Sequence, residues 1–418
     1  MIATVRPARK LEGEIAVPGD KSISHRALML GAIADGGSRV RGLSPGADVE
    51  STASCLRALG VEIEDTRIEG RGLRSLRAAA GPLDCGNSGT TMRLLAGLLA
   101  AQPFESELAG DESLARRPMG RVVDPLREMG AAASWPPLRV GGRAPLNGIE
   151  YRMPLASAQV KSALLLAGLY AEGMTTVVEP VATRDHTEIM LAAMGADLTR
   201  DGLGVTLAAT ERLEPLDITV PGDFSAAAFW IAGAGLFAGS RVELAGVGVN
   251  PTRTAFADTL SAIGFRIERR NPRLEADEAV ADLAIGGAQA LRPLRVEGTM
   301  AAEMIDELPV LAVVATQIAG TSVISGAAEL KLKESDRLAA MEEGLTAMGA
   351  DIVATDDGWT ITGPRVLEGA RVESHGDHRI AMALAIAGLI ADGKTEIEDA
   401  ECVEISYPAF FDHLEYLC

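Results

Sequence analysis

The sequence has few cysteines, and their spacing argues against two kinds of structural site. Four occur in 418 residues, Cys55, Cys85, Cys402 and Cys418, and no two of them form a CxxC pair. Disulfide frameworks and structural zinc sites are built from more numerous and more closely spaced cysteines. We therefore expect a protein of the reducing cytoplasm that contains no structural metal.

Long apolar runs are missing as well. The uncharged apolar run at residues 380–391, for example, is too short to span a bilayer. The opening residues, MIATVRPARKLEGEIAV, show no apolar segment of the kind found in secretory signals. We therefore expect a cytoplasmic protein that is not inserted in a membrane.

Positive charge is in short supply, with 39 Lys and Arg against 58 Asp and Glu and a formal net charge of −19. Nucleic acids and anionic membranes are bound by basic surfaces, so neither is an expected partner. A small anionic substrate is still allowed, because the local cations of a cleft decide its binding. Aromatic residues make up 4% of the chain and hydrophobic residues 47%, an ordinary profile for a globular protein with full cores.

Six segments of the chain share one plan, in which a polar or glycine-marked entry leads into an Ala/Leu-rich helix that usually ends at glycine. Their starts are spaced by roughly 65 to 80 residues, the sign of an internal repeat. They begin at Lys21, Asn87, Ala156, Phe224, Glu303 and Gly376. These helices are apolar on almost every face, which predicts that they are buried.

A second pattern lies between these helices, where an amphipathic helix closes on glycine and a strand follows, as in LRALGVEI and LTAMGADI. The tetrapeptide VPGD occurs at residues 17–20 and again at 220–223, about half the chain apart. Together these patterns predict an α/β protein of two similar domains, each with three βαβαββ units whose helices are buried and whose sheets lie outside. We expect one domain at 19–220 and the other at 1–18 with 221–418.

The polar entries to the buried helices concentrate cations and small polar groups, most clearly in Pro-Gly-Asp-Lys-Ser-Ile-Ser-His-Arg at residues 18–26. Free backbone N–H groups and the helix dipole favour an anion at such a point, and Lys21 and Arg26 add positive charge there. Any one of these cations could be an ordinary surface charge. Gathered at several buried helix starts, they indicate a phosphate or carboxylate site.

Two carboxylates stand among these cations. Asp306 lies one turn into an apolar helix, and Glu334 lies between Lys333 and Arg337. An anion-binding surface gains nothing from acids at such positions, whereas general acid–base chemistry uses them. A helix cap for Asp306 and a local ion pair for Glu334 are the structural alternatives. His375 and His378 have an HxxH spacing, but no third ligand lies near them in the sequence, which favours hydrogen-bonding roles over a metal site. GxSxG, Walker A and dinucleotide-binding motifs are absent.

The combination PGDKSISHRAL, GNSGTTMRLLAG, SLARRPMGRVVDPLREMGA, ASAQVKSALLLAGL, KESDR and GDHRIAMA resembles the 5-enolpyruvylshikimate-3-phosphate synthase (3-phosphoshikimate 1-carboxyvinyltransferase) family over residues 10–408. The resemblance implies an inside-out α/β barrel in each of two domains, with the active site in the cleft between them. It also implies transfer of the enolpyruvyl group of phosphoenolpyruvate to the 5-hydroxyl of shikimate 3-phosphate, by addition and elimination through a tetrahedral intermediate. Phosphate is released, no metal or organic cofactor takes part, and a monomer is expected.

The resemblance also implies roles for individual residues. Asp306, Glu334 and Lys21 would be catalytic, with Asp306 as the base and Glu334, or its rival Lys21, as the acid. Shikimate 3-phosphate would be held by Lys21, Ser22, Arg26, Ser157, Ala158, Gln159, Arg184, Asp306 and Lys333. Phosphoenolpyruvate would be held by Lys21, Asn87, Gly89, Arg117, Gln159, Arg337 and Arg379.

Three positions depart from the pattern of some family members: Ile405 replaces Lys, Glu329 replaces Asn, and His186 replaces Tyr. They leave the sharing of the phosphate contacts open, with Arg184 and Lys161 as substitute cations. A UDP-N-acetylglucosamine enolpyruvyl transferase is the closest alternative, but the loop GDESLARRP lacks the cysteine it would need. A non-catalytic anion-binding protein is a further alternative, which Asp306 and Glu334 oppose.

Overall fold

Two units of similar construction make up the chain. The structure is a computed structural model that describes residues 1–142, 145–288 and 290–418. The first unit comprises Gly19–Val220 with Leu274–Glu278, and the second comprises Met1–Pro18, Pro221–Arg273 and Ala279–Cys418. The chain passes from one unit to the other inside each VPGD tetrapeptide.

The helices begin at or near the polar entries seen in the sequence. In chain order the α-helices are α1 (Lys21–Ile33), α2 (Ala47–Ala58), α3 (Gly89–Leu99), α4 (Glu112–Arg116), α5 (Gly120–Glu128), α6 (Ala158–Gly168), α7 (His186–Ala193), α8 (Phe224–Leu236), α9 (Ala255–Ile263), α10 (Thr299–Glu303), α11 (Leu308–Ala315), α12 (Arg337–Ala347), α13 (His378–Ile390) and α14 (Phe410–Leu417). Short 3-10 helices cover Ala328–Leu332 and Ala400–Ile405.

The strands are short and alternate with the helices. In chain order they are β1 (Ala3–Val5), β2 (Glu12–Ile15), β3 (Asp35–Arg41), β4 (Glu62–Glu64), β5 (Arg67–Arg71), β6 (Leu83–Asp84), β7 (Glu105–Ala109), β8 (Ala133–Ser134), β9 (Leu138–Gly141), β10 (Leu146–Asn147), β11 (Glu150–Arg152), β12 (Ala171–Glu172), β13 (Met174–Val178), β14 (Leu198–Asp201), β15 (Gly204–Ala208), β16 (Asp217–Thr219), β17 (Arg241–Gly248), β18 (Arg266–Glu275), β19 (Glu278–Gly286), β20 (Arg295–Val296), β21 (Gly320–Ile324), β22 (Asp351–Thr355), β23 (Gly358–Gly363), β24 (Arg371–Glu373) and β25 (Thr395–Glu398).

One sheet topology recurs through the chain. The first unit contains the sheets β16-β3-β5-β4, β6-β7-β9-β8 and β11-β13-β15-β14, and in each the first two strands are parallel and the remaining pairs antiparallel. The second unit contains β18-β19-β17-β2 and β20-β21-β23-β22, together with the shorter β1-β25-β24. In several of these sheets a buried helix connects the parallel strands, as α3 does between β6 and β7. The α/β fold and the repeated βαβαββ order expected from the sequence are therefore confirmed.

The helices that are apolar on every face form the cores. In α1 each residue from Ile23 to Ile33 is buried, and α8 and α13 are buried over nearly their whole length. Each unit has its own apolar cluster around its three such helices. None of the helices in the described ranges is long and apolar enough to cross a membrane.

A glycine allows two buried helices of the first unit to approach each other closely. A Cβ atom placed on Gly97, in α3, would lie 2.1 Å from the carbonyl oxygen of Ala163, in α6. Backbone atoms of a packed helix cannot move aside as a flexible side chain can. The closeness of α3 and α6 therefore depends on the absence of a side chain at this position.

A buried hydrogen-bond chain joins three helices of the same unit. The Nδ1 atom of His25 lies 2.7 Å from the Thr52 hydroxyl, which lies 2.6 Å from the hydroxyl of Thr91. The Thr91 hydroxyl donates to Ser88 Oγ at 2.8 Å, and Ser88 caps α3. Burial, together with the positive charges of Lys21 and Arg26, holds the pKa of His25 well below its ordinary value. The His25 imidazole is therefore neutral within this hydrogen-bond chain.

Gly97→Ala should destabilise the first unit by roughly 1–3 kcal/mol, the usual cost of overpacking a core, although alanine by itself favours a helix. The free energy of unfolding measured in urea tests this. Gly81→Ala is the control, because a Cβ atom there meets nothing within 4 Å. Equal stability of the Gly97→Ala variant and the unmodified protein would show that α3 and α6 can separate at no cost.

The unmodified protein should lose stability as the pH falls below about 6.5, because unfolded His25 takes up a proton that the folded state excludes. A group whose pKa is lower in the folded than in the unfolded state stabilises the fold above its unfolded pKa. His25→Asn removes this group. Between neutral pH and pH 5 the free energy of unfolding of this variant should therefore fall less than that of the unmodified protein, by up to about 2 kcal/mol. Urea unfolding at several pH values measures the difference. The same change in the free energy of unfolding with pH in both proteins would contradict the prediction.

Candidate active site

Arg337, the first residue of α12, lies within 4 Å of three carboxylates in the second unit and is 1% exposed. Its Nε atom donates to Asp377 Oδ2 at 2.7 Å, and its Nη2 atom donates to Glu334 Oε2 at 2.6 Å. Burial alone would lower the pKa of Arg337, but the charges of Asp377, Glu334 and Asp306 outweigh it and raise the pKa. The guanidinium is therefore a permanent positive charge in a site largely closed to water.

Asp306 lies in the turn between α10 and α11, and its side chain is 14% exposed. One of its oxygens, Oδ1, lies 3.4 Å from Arg337 Nη1, 3.7 Å from Arg379 Nε and 3.8 Å from Lys333 Nζ. Three cations around one carboxylate favour its ionised form. Such a group can accept a proton from a bound hydroxyl. The second unit thus brings together Asp306, Lys333, Glu334, Arg337 and Arg379, all of which the sequence had singled out.

Asp377 is a member of this cluster that the sequence reasoning did not select. It is fully buried and caps α13, where its Oδ1 atom accepts from the backbone N–H of Arg379 at 2.9 Å. The same carboxylate binds Arg337, and Ser335 Oγ donates to it at 3.2 Å. An aspartate directly before an apolar helix is an N-cap signal, so its position in GDHRIAMA could have identified it.

In the first unit, α1 begins at the residues that the sequence placed at an anion site. Asp20 caps the helix by accepting from Ile23 N at 2.9 Å. Lys21 Nζ donates to Asp48 Oδ2 at 2.8 Å, and Arg184 Nη1 donates to Ser22 Oγ at 3.4 Å. Asp48, at the start of α2, was not selected from the sequence, because an acidic residue in a first helical turn is too common to be a signal.

Arg26 is bound to three protein groups. Its Nε atom donates to Thr187 Oγ1 and its Nη2 atom to Ser162 Oγ, each at 2.7 Å, while Nη1 donates to the carbonyl of Ser22 at 2.8 Å. Burial lowers its pKa to about 10, which still leaves it charged at neutral pH. Arg26 thus ties α1 to α6 and α7 and holds the backbone at Ser22.

The loop before α3 forms a second anion-binding geometry in the first unit. Ser88 caps the helix, and Asn87 Oδ1 accepts from Arg117 Nη2 at 2.6 Å. A Cβ atom on Gly89 would lie 2.8 Å from Arg93 Nη1 and 3.3 Å from Arg117 Nη1. Glycine at this position therefore leaves room for two guanidinium groups beside a helix N-terminus, where anions bind readily.

Arg93 extends this site to α6. It donates to Gln159 Oε1 at 2.6 Å, and Gln159 Nε2 donates to Thr90 Oγ1 at 2.9 Å. Ser157 caps α6 by accepting from Val160 N at 3.4 Å, so that Ala158 is the first residue of the helix. Arg93 is not among the binding residues given by the sequence; its position four residues after Gly89, on the same helix face, is the signal that could have identified it.

Packing in the first unit changes the role expected for Lys161 and shows the surroundings of His186. Lys161 is 1% exposed and lies between Glu179 and Glu188, at 2.8 and 2.7 Å, so it is a core ion pair and not an open phosphate contact. His186 is also buried, with Nδ1 at 2.6 Å from Glu278 Oε1. Arg184, which lies beside Ser22, stays a predicted substitute cation.

Comparisons with known proteins agree along the whole chain. The family model described as EPSP synthase (3-phosphoshikimate 1-carboxyvinyltransferase) matches residues 5–414. A 3-phosphoshikimate 1-carboxyvinyltransferase of Desulforudis audaxviator is 53% identical, with 100% of this chain and 99% of the relative covered. The enzyme of that name from Gloeobacter violaceus is 52% identical over 98% of both chains.

A solved structure of EPSP synthase from Acinetobacter baumannii is 42% identical and has a TM-score of 0.88, covering 100% of this chain and 98% of that one. Sequence and fold therefore lead to the same assignment over the full length. The chain belongs to the EPSP synthase family, the enolpyruvyl transferases that act on phosphoenolpyruvate and shikimate 3-phosphate in aromatic amino acid biosynthesis.

Proposed function

We propose that this chain transfers the enolpyruvyl group to the 5-hydroxyl of shikimate 3-phosphate by addition and elimination through a tetrahedral intermediate, with Asp306 as the base. The observation that carries the assignment of the base is the position of its carboxylate within 3.4 to 3.8 Å of three cations. A sugar-like hydroxyl is a poor nucleophile at neutral pH, so an ionised carboxylate beside it is needed to remove its proton.

The acid must protonate the methylene carbon of phosphoenolpyruvate as the hydroxyl adds. Glu334 is our first choice, although its 2.6 Å bond from Arg337 favours the ionised form that cannot donate a proton. Lys21, with its ammonium group paired to Asp48 at 2.8 Å, is the rival. A group that gives up this proton can recover it when the tetrahedral intermediate collapses and releases phosphate, so either residue would return to its starting state.

We propose that phosphoenolpyruvate and shikimate 3-phosphate are each bound by the residues that the family resemblance implies. Among the phosphoenolpyruvate residues, the arrangement of Arg117 and Gly89 at the start of α3 supports the proposal in the first unit. In the second unit, Arg337 and Arg379 supply planar guanidinium groups suited to carboxylate and phosphate. Arg93, which binds Gln159, is added to the set on geometric grounds.

Shikimate 3-phosphate is proposed to meet Lys21, Ser22, Arg184 and the start of α6. The bond from Arg184 to Ser22 supports this, because it places a second cation at the start of α1. We further propose that the two units are the two domains expected from the repeats, residues 19–220 and 1–18 with 221–418, and that the protein works as a cytoplasmic monomer without a cofactor.

Asp306→Ala should lower kcat by about 10²–10⁴, the usual span for loss of one general base, while the affinity for shikimate 3-phosphate falls much less. Phosphate release from the two substrates measures kcat, and calorimetric titration measures binding. Asp356→Ala, which removes an exposed aspartate of the same unit, is the control and should leave both quantities unchanged. A kcat within threefold of the unmodified protein would exclude Asp306 as the base.

Glu334→Gln should slow the exchange of solvent hydrogen into the methylene group of phosphoenolpyruvate, because a glutamine cannot deliver the proton. Mass spectrometry of phosphoenolpyruvate recovered from turnover in heavy water measures this exchange. Lys21→Met is compared under conditions where both substrates are shown to bind. If Glu334→Gln leaves the exchange untouched and Lys21→Met abolishes it, the acid is Lys21.

A further inference from the structure

Glu307, the residue after Asp306, carries a buried carboxylate for which the proposed reaction has no use. It is 2% exposed and lies at the N-cap position of α11, but its side chain does not cap that helix. Glutamate is almost never fully buried unless it is paired, so this carboxylate requires a partner within the protein.

The partner is the start of α8, more than eighty residues away in the chain. Ser225 Oγ donates to Glu307 Oε1, and the same hydroxyl oxygen accepts from Arg253 Nη2 at 2.8 Å. Arg253 Nη2 also lies 3.2 Å from Asp223 Oδ1, which caps α8 by accepting from Ser225 N at 2.8 Å. The single proton of the Ser225 hydroxyl is thereby directed to Glu307, and its oxygen is directed to Arg253.

This buried chain fixes the turn that carries Asp306. The backbone N–H of Glu307 donates to the carbonyl of Met304 at 2.9 Å, which closes the turn, and the carbonyl of Glu307 accepts from Leu311 N at 3.0 Å in α11. Asp306 lies inside this turn and outside any helix. With the Glu307 side chain held by Ser225, the end of the turn has little freedom to rotate.

A buried ionic network is a poor means of gaining stability, since apolar side chains of similar volume often stabilise a core as well or better. A functional site, by contrast, needs its reacting group held within about 0.5 Å by residues that are themselves locked in place. Asp306 has three cations around one oxygen, so a small rotation of the turn would exchange one close cation for another.

We propose that Ser225, Arg253 and Glu307 are positioning residues that hold the Asp306 carboxylate in its place among Lys333, Arg337 and Arg379. The inference rests on the proposed role of Asp306 as the base. The three residues act on Asp306 through the turn.

Ser225→Ala tests the proposal, because it removes the hydroxyl that joins Arg253 to Glu307. We expect kcat to fall about 5- to 30-fold with the affinity for shikimate 3-phosphate changed less than threefold. Ser225→Thr keeps the hydroxyl and should restore kcat to within threefold of the unmodified protein. Ser322→Ala is the matched control: it removes another fully buried hydroxyl of the second unit, one that accepts from Leu294 N at 3.0 Å, and should leave kcat unchanged.

A double-mutant cycle separates positioning from general stability. If Ser225 acts through Asp306, Ser225→Ala has no further effect on kcat once Asp306→Ala is present. Equal effects of Ser225→Ala in both backgrounds, or an unchanged kcat in Ser225→Ala alone, would overturn the proposal. If Ser225→Ala does not yield folded protein, Arg253→Lys is measured in the same cycle and judged by the same criterion.

The cycle also distinguishes this inference from the proposed function. A normal kcat in Asp306→Ala alone would refute Asp306 as the base, and the positioning role would fall with it. A large loss in Asp306→Ala together with an additive effect of Ser225→Ala would leave the base in place and refute only the positioning role.

Discussion

Burial of whole helices is the constraint on which the rest of this structure depends. α8 and α13 have no exposed face along most of their length, so polar side chains cannot be placed along their bodies without a large desolvation cost. Polar groups are confined to the ends of these helices. The N-terminal ends present free N–H groups and a positive dipole, which makes them suitable for anions. The polar residues Lys21 and Arg379 accordingly lie at the first or second position of a buried helix.

Cations at buried helix ends must themselves be compensated. Asp377 pairs with Arg337, and Asp48 pairs with Lys21, at distances of 2.7 and 2.8 Å. These carboxylates orient the cations before any substrate binds. Asp306 differs from them because it is shared among three cations at longer distances. This position of one oxygen among three cations is the reason we propose Asp306 as the base.

In each unit a buried hydrogen-bond network lies beside the start of a buried helix. In the first unit the chain from His25 ends at Ser88, the cap of α3. In the second unit the chain from Asp223 ends at Glu307, where α11 starts. Such networks are costly unless every member is paired, and the apolar helix bodies offset that cost. The same fold therefore combines apolar cores with rigid polar ends.

The sequence by itself determined the repeat, the α/β class and the polar helix entries, because each of these depends on residues close together in the chain. Lys333, Glu334 and Arg337 could be grouped for the same reason. Only the tertiary structure decided which distant side chains meet, such as Ser225 with Glu307 or Arg93 with Gln159. It also decided that Lys161 is enclosed between two glutamates, where the sequence had allowed a phosphate contact. Burial and long-range pairing arise when helices pack against one another, and local sequence patterns do not contain that information.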